Sequence, residues 1–207
     1  MRRFRRLKKK AGEDSGRRDE FNLNLIIMKG KFIAIYGINN IGKTTHAKRL
    51  SARLNALGKR AVYVKYPIYN QKPTGPMINK ILRSQGKQKM SEEELQLLFV
   101  LNRYQFQPKL LKMLRQGKIV VAEDYIGTGI AWGTAKGSNQ TELENMNKFL
   151  VQPDLAILMD GQRELIAREK KHIHEKDDQL AEKCRKIFKK LAKKYRWQVA
   201  KVDKDPD

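Results

Sequence analysis

One segment near the start of the chain combines glycines, a lysine and a threonine at a spacing that suits phosphate groups. It reads Gly37-Ile38-Asn39-Asn40-Ile41-Gly42-Lys43-Thr44. The glycines let backbone amides turn inward around phosphate oxygens, and a following helix adds the partial positive charge of its N-terminus. Lys43 is expected to reach the β- and γ-phosphates, and Thr44 is expected to ligate Mg²⁺. The spacing therefore predicts a site for a nucleoside triphosphate.

The context of this loop is the one that the motif requires. The loop follows the apolar run Phe32–Tyr36 and opens a predicted helix that extends to about Leu57, where Gly58 ends it. The expected binding set is Gly37, Asn39, Asn40, Ile41, Gly42, Lys43, Thr44 and Thr45. GTPases, ATPases and kinases share such loops, so the reaction has to be inferred from the rest of the chain.

Five short runs rich in β-formers alternate with segments of helical pattern. The predicted strands are 32–36, 61–66, 118–123, 155–160 and 198–202. Most of these runs are apolar on both faces, which is typical of a parallel sheet covered by helices on both sides. The predicted fold is α/β, a three-layer P-loop NTPase-type fold with a five-stranded parallel sheet. Ligands in such sheets bind at the carboxyl ends of the strands.

Two helices have clear sequence signals. Ser91 followed by Glu94 is a capping box, and it opens a helix that carries Leu95 and Phe99. We expect Pro108 either to kink this helix or to separate it from another. A second helical stripe precedes the last strand and consists of Leu180, Cys184, Ile187, Phe188, Leu191 and Tyr195.

Composition indicates one domain in a chain of 207 residues with a formal net charge of +23. Residues 1–27 are predicted to be a basic, disordered extension, because dense like charges repel, and 28–207 to be the folded domain. Non-specific nucleic-acid contact through this extension is an open alternative. Cys184 is the only cysteine, which excludes an internal disulfide. No apolar run approaches the roughly 20 residues of a membrane span, so we expect a cytoplasmic protein without membrane contact.

From Met28 to Asp203 the order of landmarks resembles the thymidylate kinase family. After the phosphate loop come four segments that resemble the family's strand-end Phe-Pro, its Leu-Leu-Phe-x-x-x-Arg, its Asp-Arg-Tyr-x-x-Ser and its Pro-Asp-Leu. They are Lys65-Tyr66-Pro67, residues 97–103, residues 123–132 and Pro153-Asp154-Leu155. Only the phosphate loop is specific by itself, but four weaker matches in the correct order strengthen the assignment.

The resemblance implies ATP and Mg²⁺ as cofactors and phosphorylation of dTMP to dTDP. It implies that Phe99 stacks on the acceptor base and that Arg103 contacts the bound monophosphate nucleotide. Metal ligation is expected from Thr44 and Glu123. The implied substrate-binding set is Tyr66, Phe99, Arg103, Tyr125 and Thr128, and the implied catalytic set is Lys43, Arg103, Glu123, Asp124 and Arg168.

Three positions depart from the family pattern. Asn39 stands where the family usually has aspartate, and Asp124 stands where it has arginine. The arginine that usually follows the strand-end Phe-Pro has no counterpart, since Ile68 and Tyr69 occupy that region. A further cation is expected from the segment after Asp160, which resembles the family's lid, with Arg168 favoured over Arg163.

Two other functions stay open at this stage. A deoxynucleoside kinase would act on an uncharged nucleoside, with Glu123 as the general base. A catalytically weak nucleotide-binding protein with nucleic-acid affinity would use the basic tail. A monomer and a homodimer are both compatible with the sequence.

The extension generates the first prediction. A chain that begins at Met28 should unfold at the same temperature as the full chain and bind ATP equally well, because residues 1–27 lack the apolar pattern of a core element. Thermal unfolding with and without ATP measures both properties. A melting temperature lowered by several degrees would contradict the assigned boundary.

Overall fold

The computed structural model describes residues 29–83, 90–161 and 178–202. Its sheet consists of β1 (Lys31–Tyr36), β2 (Ala61–Lys65), β3 (Ile119–Glu123), β4 (Leu155–Gly161) and β5 (Gln198–Val202). The strand order is β2-β3-β1-β4-β5, and every pairing is parallel. The prediction of a five-stranded parallel sheet is confirmed.

Six helices are described. They are α1 (Lys43–Ala56), α2 (Thr74–Leu82), α3 (Glu92–Arg115), α4 (Ile126–Ala135), α5 (Gln140–Asn147) and α6 (Asp178–Lys194). Consecutive residues of β3 are buried, so both faces of the sheet are covered there. Among the residues described, none of these helices is long and apolar enough to cross a membrane.

The strand order brings the predicted chemistry to one edge of the sheet. β1 lies in the middle, between β3 and β4, and the phosphate loop follows it directly. In the register of the sheet, Ile35 of β1 and Lys65 of β2 both pair with Glu123 of β3. The carboxyl ends of three strands therefore meet beside the loop, which is where open parallel sheets bind ligands.

The long helix α3 begins as predicted but does not stop at Pro108. The Ser91 hydroxyl accepts from the amide of Glu94 at 3.1 Å, and the Glu94 carboxylate accepts from the Ser91 amide at 2.7 Å. Pro108 lies inside a helix of 24 residues, so of the two alternatives, a kink or a separate second helix, the separate helix is excluded. Burial of residues such as Leu95 and Leu110 on both sides of the proline stabilises the continuous helix despite the lost hydrogen bond.

Helices α4 and α5 were not expected from the sequence pattern. Helix α4 contains three glycines, which lower helix propensity, but a Cβ atom on any of them would lie less than 3.0 Å from a neighbouring side chain. A Cβ atom on Gly127 would lie 2.5 Å from Cη2 of Trp197. A Cβ atom on Gly129 would lie 2.9 Å from Nη2 of Arg103. Tight packing against other elements, and not local propensity, specifies this helix.

The C-terminal elements follow the prediction with two differences. Helix α6 buries Cys184, Phe188 and Leu191 against the core, whereas Tyr195 lies beyond its last residue and is exposed. Strand β5 is an edge strand that is mostly exposed to solvent. Trp197, just before β5, stacks on Tyr36 with ring centroids 4.4 Å apart and so connects the end of the chain to β1.

The capping box allows a stability test that does not touch the cleft. Ser91→Ala should lower the free energy of unfolding by about 1 kcal/mol, because it leaves a helix N-terminal amide without its side-chain acceptor. Ser91→Thr is the matched control, since it keeps a hydroxyl that caps helices, and it should lose much less. Urea unfolding measures both, and equal stability of Ser91→Ala and the parent would contradict the role of the cap.

Candidate functional site

A cleft of about 550 Å³ opens at the carboxyl ends of β1, β2 and β3. The phosphate loop lines one end through Asn39, Asn40, Gly42, Lys43, Thr44 and Thr45. The other predicted residues that line the cleft are Tyr66, Phe99, Arg103, Glu123, Asp124, Tyr125 and Thr128. Residues that are far apart in the sequence thus share one cavity of a size that suits small-molecule ligands.

The loop has the conformation that its glycines permit. Gly37 and Gly42 have φ values of 148° and 87°, and Asn40 has a φ of 62°. Gly42 is the residue that caps α1, and the first helical residue is Lys43. Gly37 and Ile41 do not line the cleft; Ile41 is buried in the core and anchors the loop from behind. The predicted phosphate loop is therefore formed, with its helix N-terminus directed at the cleft.

Lys43 is held within the loop. Its side chain is only 5% exposed, and its Nζ donates to the backbone oxygens of Gly37 at 3.0 Å and Ile38 at 2.8 Å. The same nitrogen lies 3.8 Å from Oδ1 of Asp124. The ammonium group thus lies inside the turn of the loop, in the position from which the motif's lysine contacts phosphate oxygens.

Glu123 is the most heavily hydrogen-bonded carboxylate of the cleft. Its Oε1 accepts from the Thr44 hydroxyl at 2.7 Å and lies 2.9 Å from Nζ of Lys65, while its Oε2 accepts from the Tyr63 hydroxyl. Burial alone would raise the pKa of Glu123. The hydrogen bonds from Tyr63, Lys65 and Thr44, with the charge of Lys65, outweigh burial and hold the pKa below its usual value.

The neighbouring carboxylate, Asp124, has the opposite shift. Its backbone is in the left-handed region at φ 61°, and its Oδ1 accepts from the Thr128 hydroxyl at 2.8 Å. Burial raises the pKa of Asp124, and the nearby Lys43 only partly offsets this effect. Two adjacent residues therefore have carboxylates of different acidity, because one has three donors and the other is mainly desolvated.

Arg103 and two tyrosines form the deep part of the cleft. Arg103 is 4% exposed; its Nε donates to Asn147 Oδ1 at 3.1 Å and its Nη1 to the backbone oxygen of Tyr125 at 3.4 Å. Burial lowers the pKa of Arg103 to about 10, so the guanidinium stays charged at neutral pH. The Tyr66 and Tyr125 rings lie 4.9 Å apart and are buried. Phe99 is half-buried and lines the cleft.

Several lining residues were not predicted from the sequence. Lys65 was noted only as part of a strand end, and Gln96, Tyr69 and Arg83 were not considered as site residues. Tyr63 reaches Glu123 from the neighbouring strand. The alternation of β2 could have indicated that Tyr63 and Lys65 point to one face. The predicted lid arginines 163 and 168 lie outside the described residues.

The end of the cleft formed by the phosphate loop has groups that suit Mg²⁺ and a triphosphate. The Thr44 hydroxyl and the Glu123 carboxylate are adjacent oxygen ligands of the kind that Mg²⁺ takes, with phosphate oxygens and water completing its shell. Within the described ranges, no group of three or more histidine, cysteine, aspartate or glutamate side chains is arranged to hold a metal ion. A site that is completed by the nucleotide's own oxygens needs no such group.

A parallel sheet with a phosphate loop after its central strand defines a P-loop nucleotide-binding protein.

The family model described as Thymidylate kinase matches residues 35–206. The chain is 31% identical to a probable thymidylate kinase of Thermococcus kodakarensis over 79% of this chain and 85% of that protein. It is 33% identical to a thymidylate kinase of Xanthomonas oryzae pv. oryzae over 77% and 70% of the two chains. The solved thymidylate kinase of Candida albicans matches with a TM-score of 0.71 and 26% identity, covering 86% of this chain and 85% of that one. The chain belongs to the thymidylate kinase family.

Neutralising either of the two adjacent carboxylates should change the free energy of unfolding, and the two changes should have opposite signs. Glu123→Gln should lower the free energy of unfolding at pH 7 by about 1–3 kcal/mol, because its donors lose a charged acceptor. Asp124→Asn should raise it at pH 7, because burial disfavours the ionised form. Urea unfolding at pH 7 and near pH 4 measures both differences.

The signs follow from the directions of the pKa shifts. The lowered pKa of Glu123 stabilises the fold above the unfolded value, and this contribution is lost as pH falls through the folded value. The pKa of Asp124 is higher in the folded state than in the unfolded state. Its ionisation therefore lowers the free energy of unfolding as pH rises from the unfolded pKa through the folded pKa. Both differences should shrink near pH 4. Glu142→Gln, at an exposed position, is the control, and a stability loss in Asp124→Asn at pH 7 would contradict the desolvation argument.

Proposed function

We propose that this protein transfers the γ-phosphoryl group of ATP to dTMP, giving dTDP and ADP, with Mg²⁺ as the metal. The observation that carries the proposal is the single cleft, which has a phosphate loop at one end and a buried guanidinium among aromatic rings at the other. Membership of the thymidylate kinase family supports the choice of acceptor. Such a cleft can hold two nucleotides with their phosphates facing each other, as in-line transfer requires.

In the proposed reaction an oxygen of the dTMP phosphate bonds to the γ-phosphorus as the bond to the β–γ bridging oxygen breaks. ADP leaves with the electron pair of that bond. Little covalent chemistry is required of the protein, so positioning and electrostatic stabilisation supply the catalysis.

The donor end is assigned to the loop and its neighbours. Lys43 would contact the β- and γ-phosphates, and Thr44 with Glu123 would hold the metal, which supplies neutralisation of the charge on the transferring group. Asp124 lies near Lys43 and keeps the ammonium oriented within the loop. The amides of Asn39, Asn40 and Gly42 are assigned to phosphate oxygens.

The acceptor end is assigned to Phe99 for stacking on the base and to Arg103 for the deep part of the nucleotide. Tyr66, Tyr125 and Thr128 would line this site. Two cations lie nearer the mouth: Lys65, which is half exposed, and Arg83, whose guanidinium carbon is 5.0 Å from the centre of the Tyr69 ring. We assign these two cations to the acceptor phosphate, in the region where the family's arginine is absent. Arg168 stays a proposal for the transferring phosphate.

A deoxynucleoside kinase is less well supported. That reaction would use Glu123 as a base, but its carboxylate already accepts from three donors and its pKa is lowered, so it binds a proton weakly. The nucleic-acid alternative depends on residues 1–27, which lie outside the described residues.

The decisive experiment compares acceptors. With ATP and Mg²⁺, the protein should phosphorylate dTMP with a kcat/KM at least 100-fold above that for thymidine, because the acceptor phosphate is bound by cations. A coupled assay for ADP release measures this, and a preference for thymidine would establish the nucleoside kinase instead.

The phosphate loop supplies the matching variant. Lys43→Ala should lower kcat by about three or more powers of ten, because the lysine stabilises charge on the transferring phosphate. Lys59→Ala is the control, since that lysine is exposed and does not line the cleft. Circular dichroism should show both variants folded. Turnover of Lys43→Ala at the parent's rate would exclude the kinase assignment.

A further inference from the structure

Two buried polar atoms on helix α3 have no hydrogen-bond partner among the described residues and belong to side chains that line the cleft. They are Oε1 of Gln96 and Nη2 of Arg103. Gln96 is 1% exposed and Arg103 is 4% exposed. The two residues are seven positions apart and therefore lie on the same face of the helix. Leaving such atoms unpaired costs about 1–3 kcal/mol each, which a ligand with matching groups recovers on binding.

The two atoms lie on either side of Gly129 of helix α4, which has no side chain. A Cβ atom added at Gly129 would lie 2.9 Å from Arg103 Nη2 and 3.2 Å from Gln96 Oε1. A side chain at Gly129 would clash with the Arg103 guanidinium and crowd Gln96 Oε1. The glycine therefore keeps open the space between an acceptor and a charged donor.

The orientation of the Gln96 amide is fixed by its neighbours. Its Nε2 donates to Oε1 of Glu92 at 2.7 Å, and the other oxygen of Glu92 accepts from Lys136 at 2.8 Å. A flipped amide would place an oxygen against this carboxylate, which is unfavourable. The carbonyl oxygen of Gln96 consequently faces Gly129. Arg103 is fixed likewise by Asn147 and the Tyr125 carbonyl, and Nη2 is the guanidinium nitrogen that has no partner among the described residues.

An acceptor beside a donor selects a base edge that offers an N–H beside a carbonyl oxygen. Guanine also has such an edge, but among the pyrimidines only thymine and uracil have it. The Watson–Crick edge of a 4-oxopyrimidine offers the N3–H donor beside the O4 acceptor, which complements Gln96 Oε1 and Arg103 Nη2. Cytosine offers the reverse, an N3 acceptor beside an N4 amino donor. Binding cytosine would place acceptor against acceptor and donor against donor and leave all four groups unsatisfied.

We propose that Gln96 is a specificity-determining residue that accepts from N3–H of thymine or uracil, while O4 of the same ring faces the Arg103 guanidinium already assigned to the acceptor nucleotide. This inference rests on the proposed function, because it names how the acceptor base is read. Phe99, three residues after Gln96 on the same helix, lines the same cleft and supplies the stacking surface. Gln96 acts through the base and takes no part in the transfer itself.

The test compares dTMP, dUMP and dCMP as acceptors for the parent and for Gln96→Leu. In the parent, kcat/KM should favour dTMP and dUMP over dCMP by at least 100-fold. Gln96→Leu should lower kcat/KM for dTMP and dUMP by about 10- to 100-fold and change the value for dCMP little, so the preference collapses. The loss should appear mainly in KM, because the contact is equally present in the ground state and the transition state.

Gln107→Leu is the matched control. Gln107 is on the same helix but binds the backbone of Val151 and Phe149, away from the cleft. This variant should lose stability and keep the parent's preference. The ratio of two acceptors in one preparation does not depend on the folded fraction. If Gln96→Leu is poorly soluble, Gln96→Met, which is unbranched like glutamine, provides the same comparison.

The outcomes separate the two proposals. A parent that does not phosphorylate dTMP overturns the proposed function before any variant is made. A parent that phosphorylates dTMP, with an unchanged dTMP-to-dCMP ratio in Gln96→Leu and Gln96→Met, overturns the role of Gln96 alone. A collapsed ratio in these variants, with the parent's ratio in Gln107→Leu, supports the inference.

Discussion

The carboxylate of Glu123 connects three separate parts of the fold. It lies at the end of β3 and binds Thr44 at the start of α1, together with Tyr63 and Lys65 of β2. A buried carboxylate is costly unless it is paired and hydrogen-bonded, so these donors are required for its burial. The requirement also works in reverse: wherever Glu123 lies, the phosphate loop's helix and the neighbouring strand end must lie beside it. This constraint acts together with the apolar packing of Ile38 and Ile41, which belong to the phosphate loop and are buried in the core.

The deep part of the cleft differs from the phosphate-loop end because it contains buried polar atoms without partners. Arg103 and Gln96 are removed from water, yet each keeps one polar atom without a partner among the described residues. Glycine at position 129 prevents the neighbouring helix from filling the space between them. Such an arrangement lowers stability, and it is expected at functional sites, where ligand contacts replace the missing hydrogen bonds. Charge pairing is thus concentrated beside the phosphate loop, whereas the unpaired atoms of Gln96 and Arg103 lie in the deep part of the cleft.

Local patterns were sufficient for the positions of the five strands, the phosphate loop and the capping box at Ser91, because each is specified by residues close together in the sequence. They were insufficient for α4, where Gly127 and Gly129 reflect contacts with distant side chains. The resemblance brought Phe99 and Arg103 into the site, but nothing in the sequence distinguishes Gln96 from a surface glutamine. Its importance depends on the amide orientation that Glu92 imposes and on its proximity to Arg103, and both are tertiary features.

The central position of β1 also determines the order in which the protein can fold during synthesis. Its neighbours are β3, where Lys31 pairs with Ile119, and β4, where Ile33 pairs with Leu155. A ribosome adds about 5–20 residues per second, so the apolar strand that precedes the phosphate loop waits several seconds for its first partner. Until then β1 lacks a neighbouring strand, and Thr44 lacks the Glu123 carboxylate of β3 to which it donates. Contacts this distant in sequence are slow to form, and the early strand depends on the late part of the chain.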